Sequence, residues 1–362
     1  SNAARTWCAG AISPITLLRR VSPSCLAEDP VRVLRAVRLA TQLDFAIEDQ
    51  TSLQMLRMSD TLRLVSPERL RDELWKIVTG KHPVAGIGAL QRYGLLRAPL
   101  PEVADLEDVE QTAPHVFPVL RHTVEVVGHA QNMRQWLKGE PVVDDHPGTA
   151  AWQAALTPLL FRLREHFLRE VSGERLRADW LPWFALLHDV GKAVTRTEEI
   201  TASGALRYRF FQHEAVGARL IAQRLEALRF SRAEIDLAST VVEAHMRPHH
   251  LHDAFPDAPI ARRACFRYFR DIDARNHTLL AGVDTVLLAI ADYLAISGAT
   301  LPWDWDAYLA HAVQLLTYAF DAQGLQQAVQ PVIDGHTLMH YFSLAPGRQV
   351  GVLLASIQEA QA

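Results

Sequence analysis

Cysteine is scarce in this chain. Cys8, Cys25 and Cys265 are the whole complement of 362 residues, their number is odd, and none stands in a C-x-x-C pair. That pattern argues against a disulfide framework and against a cysteine-held zinc site, and it implies a reducing compartment. Long uncharged apolar runs are missing too, so nothing reads as a membrane span. The apolar patch from Trp7 to Leu18 carries no convincing cleavage site before Arg19 and Arg20. The expected location is therefore cytoplasmic, with no membrane partner. Charge of one sign is also lacking: 37 Lys and Arg against 41 Asp and Glu leave a formal charge of −4, so any nucleic-acid surface must be local. Strand signals, internal repeats and low-complexity segments are absent or nearly so. The opening Ser-Asn-Ala looks like a cloning scar and is left out of fold reasoning.

What is present is helix. Hydrophobic residues make up 49% of the chain, and 362 residues are enough for a large core and two or three domains. Apolar residues recur at helical spacing nearly everywhere, which makes the fold class all-α. In "AEDPVRVLRAVRLATQLDF", Asp29 is placed to N-cap, Pro30 suits the first helical turn, and Val31, Leu34 and Val37 form the buried stripe. In "VSPERLRDELWKIVTG", Ser66 and Pro67 mark a start and Gly80 a stop. Prolines at 99, 101, 114 and 118 mark a boundary, "LKGEPVVDDHPGTA" reads as a loop within an insertion, and "SGATLPWDWDA" suggests a second junction.

The candidate chemistry lies in histidines and aspartates. His188 and Asp189 close an apolar segment in "WFALLHDVGKA", and a buried carboxylate is costly unless it is paired or bound to a cation. His122, His213, His245 and Asp292 sit in similar helical surroundings. Imidazole and carboxylate together suit Mg, Mn, Ni, Fe or Zn as the divalent ion. Four of these residues suffice for one ion and all six for two, with Asp189 able to bridge. A lone histidine such as His129 or His311 is expected to be a surface or hydrogen-bonded residue instead.

The ordered pattern H…HD…H…H…D, with Gly191 and Lys192 completing H-D-x-G-K, resembles the HD superfamily of metal-dependent phosphohydrolases. On that resemblance His122, His188, Asp189 and Asp292 match the basic metal set, while His213 and His245 match the extra histidines of members with a larger site. The implied reaction is hydrolysis of a phosphate ester or nucleotide, with Asp189 in the catalytic centre and Lys192 and Arg247 as candidates to hold the phosphate.

The flanks resemble a second family. "AEDPVRVLRAVRLATQLDFAI", "SPERLRDELWKIV" and "LQRYGLL" are similar to the neck of bacterial class II tRNA nucleotidyltransferases and poly(A) polymerases, and "PVIDGHTLMHYFSLAPGRQVGVLLASIQEAQA" to their tail. The resemblance implies a helical neck over 27–104, an HD helical bundle over 105–300 with an insertion near 136–178, and a helical tail over 301–362. Residues 1–26 would be the scar and the remnant of a head. In that family the E-D-x-x-R element reads the base of the incoming nucleotide, and Asp29 and Arg32 occupy its positions, with Arg35 one turn on. Equally, Asp29 is a simple cap and Arg32, Arg35 and Arg38 a solvated stripe, which RNA phosphates would also fit. No glycine-serine turn with a strand-borne D-x-D is present. Asp271/Asp273 and Asp304/Asp306 have the spacing alone and are read as surface pairs or caps. Nucleotidyl transfer by this chain alone is therefore not expected, and a separate nucleotidyltransferase head is a candidate partner. Two functions remain open: a hydrolase within a tRNA-enzyme-like body, or an RNA (tRNA)-binding body whose HD fold is scaffold. The oligomeric state is open as well.

Overall fold

The computed structural model describes residues 16–273, 280–326 and 333–361. Cys8 and the Ser-Asn-Ala opening lie outside them, as does most of the apolar patch that begins at Trp7. Helices dominate, so the chain is all-α with a few short strands. It divides into two compact units between Pro101 and Glu102.

In the first unit β1 (Leu17–Leu18) pairs in parallel with β2 (Ala46–Ile47), and α1 (Cys25–Glu28) and α2 (Arg32–Leu43) run between them. Helices α3 (Asp49–Arg57), α4 (Pro67–Val78) and α5 (Pro83–Arg92) follow. Helix α2 buries Val33, Leu34, Val37 and Ala40, a stripe at helical spacing that packs on α4 and α5. Two start signals act differently from the expectation. Asp29 is not the cap residue of α2: Val31 holds that position, and the Asp29 carboxylate accepts from Arg69 Nη2 at 2.7 Å. Ser66 occupies the cap position of α4 but makes no side-chain cap bond. Gly80 follows the Thr79 cap, and it is required by space: a Cβ there would stand 2.7 Å from the Lys76 carbonyl oxygen.

Short α6 (Pro101–Ala104) spans the division. The second unit continues with α7 (Val119–Lys138), α8 (Pro147–Leu156), α9 (Leu160–Phe167) and the ribbon β3 (Glu170–Ser172) and β4 (Arg175–Leu176). Next come α10 (Leu181–Leu187), α11 (Lys192–Thr195), β5 (Arg196–Ile200) and β6 (Leu206–Phe210). After these lie α12 (His213–Ala227), α13 (Arg232–Ala244), α14 (Arg247–Ala254), α15 (Arg262–Asp273), α16 (Ala281–Ala295) and α17 (Trp305–Gln326). Helices α18 (Gly335–Phe342) and α19 (Arg348–Gln361) end the described chain. Between 139 and 146 the chain has no regular structure, and the stretch beyond it places Trp152, Leu163 and Phe167 in the core.

The centre of this unit is α16, apolar on nearly every side, with α7, α10, α13 and α17 packed around it. The antiparallel β5–β6 hairpin escaped the periodicity reading because it has no buried face: β5 is exposed throughout, so no apolar alternation was needed to make it.

Candidate metal centre

Every residue of α10, "LPWFALL", is buried, so the helix ends inside the core and delivers His188 and Asp189 there, 0% and 1% exposed. Helix α7 supplies His122, α12 opens on His213, His245 closes α13, and Asp292 sits in the last turn of α16. Gly191 lets these elements meet. A Cβ there would lie 2.0 Å from the His213 carbonyl oxygen and 2.8 Å from the Gly217 nitrogen, so only glycine allows the chain after Asp189 to pass against α12.

The six predicted ligands converge. His122 Nε2 lies 2.8 Å from Asp292 Oδ1 and 4.0 Å from Asp189 Oδ2, and His188 Nε2 lies 3.1 Å from Asp189 Oδ2 and 3.7 Å from Asp292 Oδ1. On the other side of Asp189, Oδ1 faces His213 Nε2 at 3.4 Å and His245 Nε2 at 3.8 Å. Two groups thus share Asp189: His122 and His188 on one flank, His213 and His245 on the other. A bridging carboxylate would stand in that position.

Backbone carbonyls set the ring tautomers. His188 Nδ1 donates to Ala185 O at 2.8 Å, His213 Nδ1 to Phe210 O at 2.9 Å, and His245 Nδ1 to Val242 O at 2.6 Å. A carbonyl only accepts, so in each neutral ring the Nε2 lone pair points into the site. His213 and His245 then bring two such lone pairs to 3.2 Å of one another. That contact is repulsive unless a cation, a proton on one ring or a metal ion, lies against it. Burial first, then the neighbouring His213 and His188, holds His245 well below the ordinary imidazole range, which disfavours the proton there. His122 Nδ1 and His188 Nε2 are buried with no hydrogen bond, while Asp189 Oδ2 is met by the Lys192 ammonium. Burial opposes ionisation of Asp189, but His188 and Lys192 outweigh it and keep the carboxyl well below its usual range. A divalent ion fits this donor set: imidazoles oriented by backbone carbonyls, ionised carboxylates and buried ring nitrogens without a hydrogen bond.

Lys192 joins the cluster, with Nζ 2.7 Å from Asp189 Oδ2 and 3.1 Å from Gln111 Oε1. Arg247 does not turn to the ligands. Its Nη1 lies 3.7 Å from Asp271 Oδ2, and it lines a cavity of about 230 Å³ with Glu214, Glu243 and His250. In the first unit Asp29 and Arg32 lie 3.8 Å apart, while Arg35 belongs to a different pair, 3.3 Å from Glu73. Hydrogen bonding from Arg69 and the charges of Arg69 and Arg32 outweigh burial and hold Asp29 below the usual carboxylate range.

Asp304 corrects the reading of the D-x-D pairs as surface pairs or caps. It accepts from His252 Nε2 at 2.9 Å and from the Tyr293 hydroxyl at 2.5 Å, so partners across the fold fix it. Asp271 is half-exposed, and burial pushes Asp273 up to about 6. Two further histidines, outside the expected ligand set, lie against the cluster. His115 sets its ring edge-on to His122 with centroids 5.0 Å apart, and burial with the charge of Lys192 lowers it to about 3. His249 touches Asp292, and the dense "HMRPHHLHD" run was the signal for it.

Residues 44–106 match the family model described as a probable RNA and SrmB-binding site of polymerase A, and residues 119–295 match the HD domain. An A-adding tRNA nucleotidyltransferase of Deinococcus radiodurans is 30% identical over 352 residues, covering 96% of this chain and 67% of that protein. The chain belongs to the tRNA nucleotidyltransferase/poly(A) polymerase family. Another relative within the family, a CC-adding tRNA nucleotidyltransferase of Thermus thermophilus, is 30% identical over 96% of this chain and 65% of its own length. A multifunctional CCA protein of Legionella pneumophila strain Paris is 28% identical over 86% and 64%. The chain thus spans about two thirds of the length of the curated family members it matches. A solved CCA-adding enzyme in an apo form aligns at a TM-score of 0.48 and 13% identity over 96% of this chain and 59% of that one, a likeness too weak to carry weight.

Proposed function

We propose that the second unit is a metal-dependent phosphohydrolase site acting on a phosphomonoester or a cyclic phosphodiester, such as a nucleotide or an RNA end. The first unit, on this reading, holds RNA, with tRNA the substrate class that the relatives' names suggest. His122, His188, Asp189, His213, His245 and Asp292 would hold one or two divalent ions. The observation that carries the reading is the 3.2 Å approach of two imidazole nitrogens whose other nitrogens already donate, a contact that calls for a cation. When bound, a divalent ion supplies Lewis acidity to a phosphoryl oxygen and acidifies water. The chain's own residues do the rest. Lys192 brings a positive charge to the edge of the centre beside Asp189, where it attracts a phosphate and tempers the carboxylate's repulsion of it. The surrounding apolar helices keep the centre dry and strengthen each of these charges.

Hydrolysis of a 2′,3′-cyclic nucleotide and of a generic phosphomonoester by the purified chain, with Mg²⁺, Mn²⁺ or Ni²⁺, tests this beside the His188→Ala/Asp189→Ala double variant. Turnover that needs metal and falls by about 100-fold or more in the variant supports the reading. A chain that hydrolyses neither compound with any of the metals is instead the RNA-holding body of an enzyme, with the HD fold as scaffold. The match of residues 44–106 to the family model described as a probable RNA and SrmB-binding site is what favours that second reading.

A further inference from the structure

His249 stands outside the ordered ligand pattern, yet it reaches the centre. It lies on α14, and its Nε2 is 3.0 Å from Asp292 Oδ2, while the other oxygen of Asp292 meets His122 at 2.8 Å. A carboxylate only accepts, so His249 carries its proton on Nε2 and donates. Across the ring, Nδ1 meets the Tyr308 hydroxyl at 3.1 Å, and that hydroxyl also lies 3.3 Å from Ala289 O.

The ring has little freedom to turn. Tyr308 stacks on it with centroids 5.4 Å apart and stacks in turn on Tyr293 at 3.8 Å with an interplanar angle of 6°. The Tyr293 hydroxyl donates to Asp304, whose second oxygen takes His252. An unpinned carboxylate rotates about its terminal torsion, which is broad. With Oδ2 tied to His249 and Oδ1 directed at His122 and His188, the plane of Asp292 is fixed before any ion arrives.

We propose that His249 is a positioning residue for Asp292 in metal binding, and that Tyr308 fixes His249 in that task. The inference rests on the metal site proposed above. It identifies the stacked pair of Tyr293 and Tyr308 as support for a ligand rather than as packing alone.

The test uses the full chain stripped of metal, titrated with Mn²⁺ by calorimetry and with Co²⁺ by visible absorption, and melted in EDTA. His249→Ala should weaken Mn²⁺ binding by about 10- to 100-fold, the usual effect of losing a partner that orients a ligand. His249→Gln, whose amide still donates an N–H, should recover most of that loss, and Tyr308→Phe should show a smaller one of about threefold. The Co²⁺ absorption band should shift in the His249→Ala and Tyr308→Phe proteins at unchanged melting temperature in EDTA. If His249→Ala does not fold, the Gln and Phe variants decide. Mn²⁺ affinity within about twofold of wild type in the His249 variants overturns the inference, and so does an equal loss for Ala and Gln, which would mean packing alone. Failure of the wild-type chain to bind either metal is a different result: it removes the metal site itself and this role with it.

Discussion

Two buried charge clusters share α16, and they are finished differently. Around Asp284, 0% exposed, Arg177 donates through Nε and Nη2 at 2.6–2.9 Å and His166 Nε2 adds a contact at 3.0 Å. Two turns further along the helix, Asp292 belongs to the cluster in which His122 Nδ1 and His188 Nε2 have no hydrogen bond and two imidazole nitrogens face each other. The first cluster closes on itself with an internal cation, as structural buried charge must. The second has Lys192 beside Asp189 but, among the described residues, no cation against the facing nitrogens of His213 and His245. Burial and the number of ionisable groups do not separate a structural network from a candidate site here, whereas the balance of donors and acceptors does.

The largest effect should come from breaking the closed cluster. Asp284→Asn leaves the Arg177 guanidinium buried without its counter-charge and should cost about 3–5 kcal/mol of stability, read as a lower urea midpoint for the full chain. A saturating divalent ion should leave that deficit unchanged, because the ion occupies the other cluster. In the open cluster the order reverses. Mn²⁺ at about 100 times its Kd should stabilise wild type by about 2.7 kcal/mol and the Asp284→Asn protein by the same increment, while Asp189→Asn loses the response. A metal response that survives Asp189→Asn would show that the open cluster is not where the ion goes.

These two clusters also show what the sequence could and could not reveal. His188 and Asp189 were legible because a charged pair at the end of an apolar run has few explanations, and Gly191 and Lys192 narrowed them further. The all-α class followed from periodicity, which fails only where nothing is buried, as in β5–β6. Asp284, His166 and Arg177 carried no signal because they are 107 and 118 residues from one another's partners in the chain, and no local spacing records such a closure. Asp304 belongs with them, because its partners are brought only by tertiary packing, whereas His249 stands in a dense histidine run that marks the region without saying which ring turns inward. Asp29 was misread as a cap because the rule for caps ranks local amides and has no place for Arg69, 40 residues on.

A third kind of buried group sharpens the comparison, one with neither a counter-charge nor a metal. His129 is 8% exposed and its Nδ1 has no partner; burial, then the charge of His146, lowers it to about 4. In the unfolded chain an imidazole titrates near its ordinary value of about 6.5. Between those two values the unfolded chain binds a proton that the folded chain refuses, so stability falls as pH drops through about 6.5 and the loss is complete near about 4. From pH 7 to pH 5 this amounts to about 2 kcal/mol for one such group. His129→Leu should therefore lose about 2 kcal/mol less than wild type over that interval, measured by urea midpoints at the two pH values. An unchanged pH dependence would place the titration elsewhere, with His115, which shifts in the same direction, as the next residue to replace.

The smallest effect is expected where the closed arrangement recurs near solvent. Glu73 is shared by Arg38 Nε at 2.7 Å and Arg35 Nε at 3.3 Å, a carboxylate between two cations like Asp284 between Arg177 and His166, but the Arg35 side chain is 45% exposed. Water screens the Arg35 side, and the amide oxygen that Glu73→Gln leaves in place still accepts from the less exposed Arg38, so the substitution should cost less than Asp284→Asn, about 1–2 kcal/mol. Its larger consequence concerns RNA. With Glu73 neutralised, both guanidinium groups are free to meet phosphates, so affinity for a single-stranded or tRNA ligand should rise at low salt. The slope of log K against log salt should steepen by about 0.7 for each phosphate newly contacted. If the slope and the affinity stay as they were, Arg35 and Arg38 belong to the fold of the first unit as Arg177 belongs to that of the second, and the RNA surface must be sought on other residues.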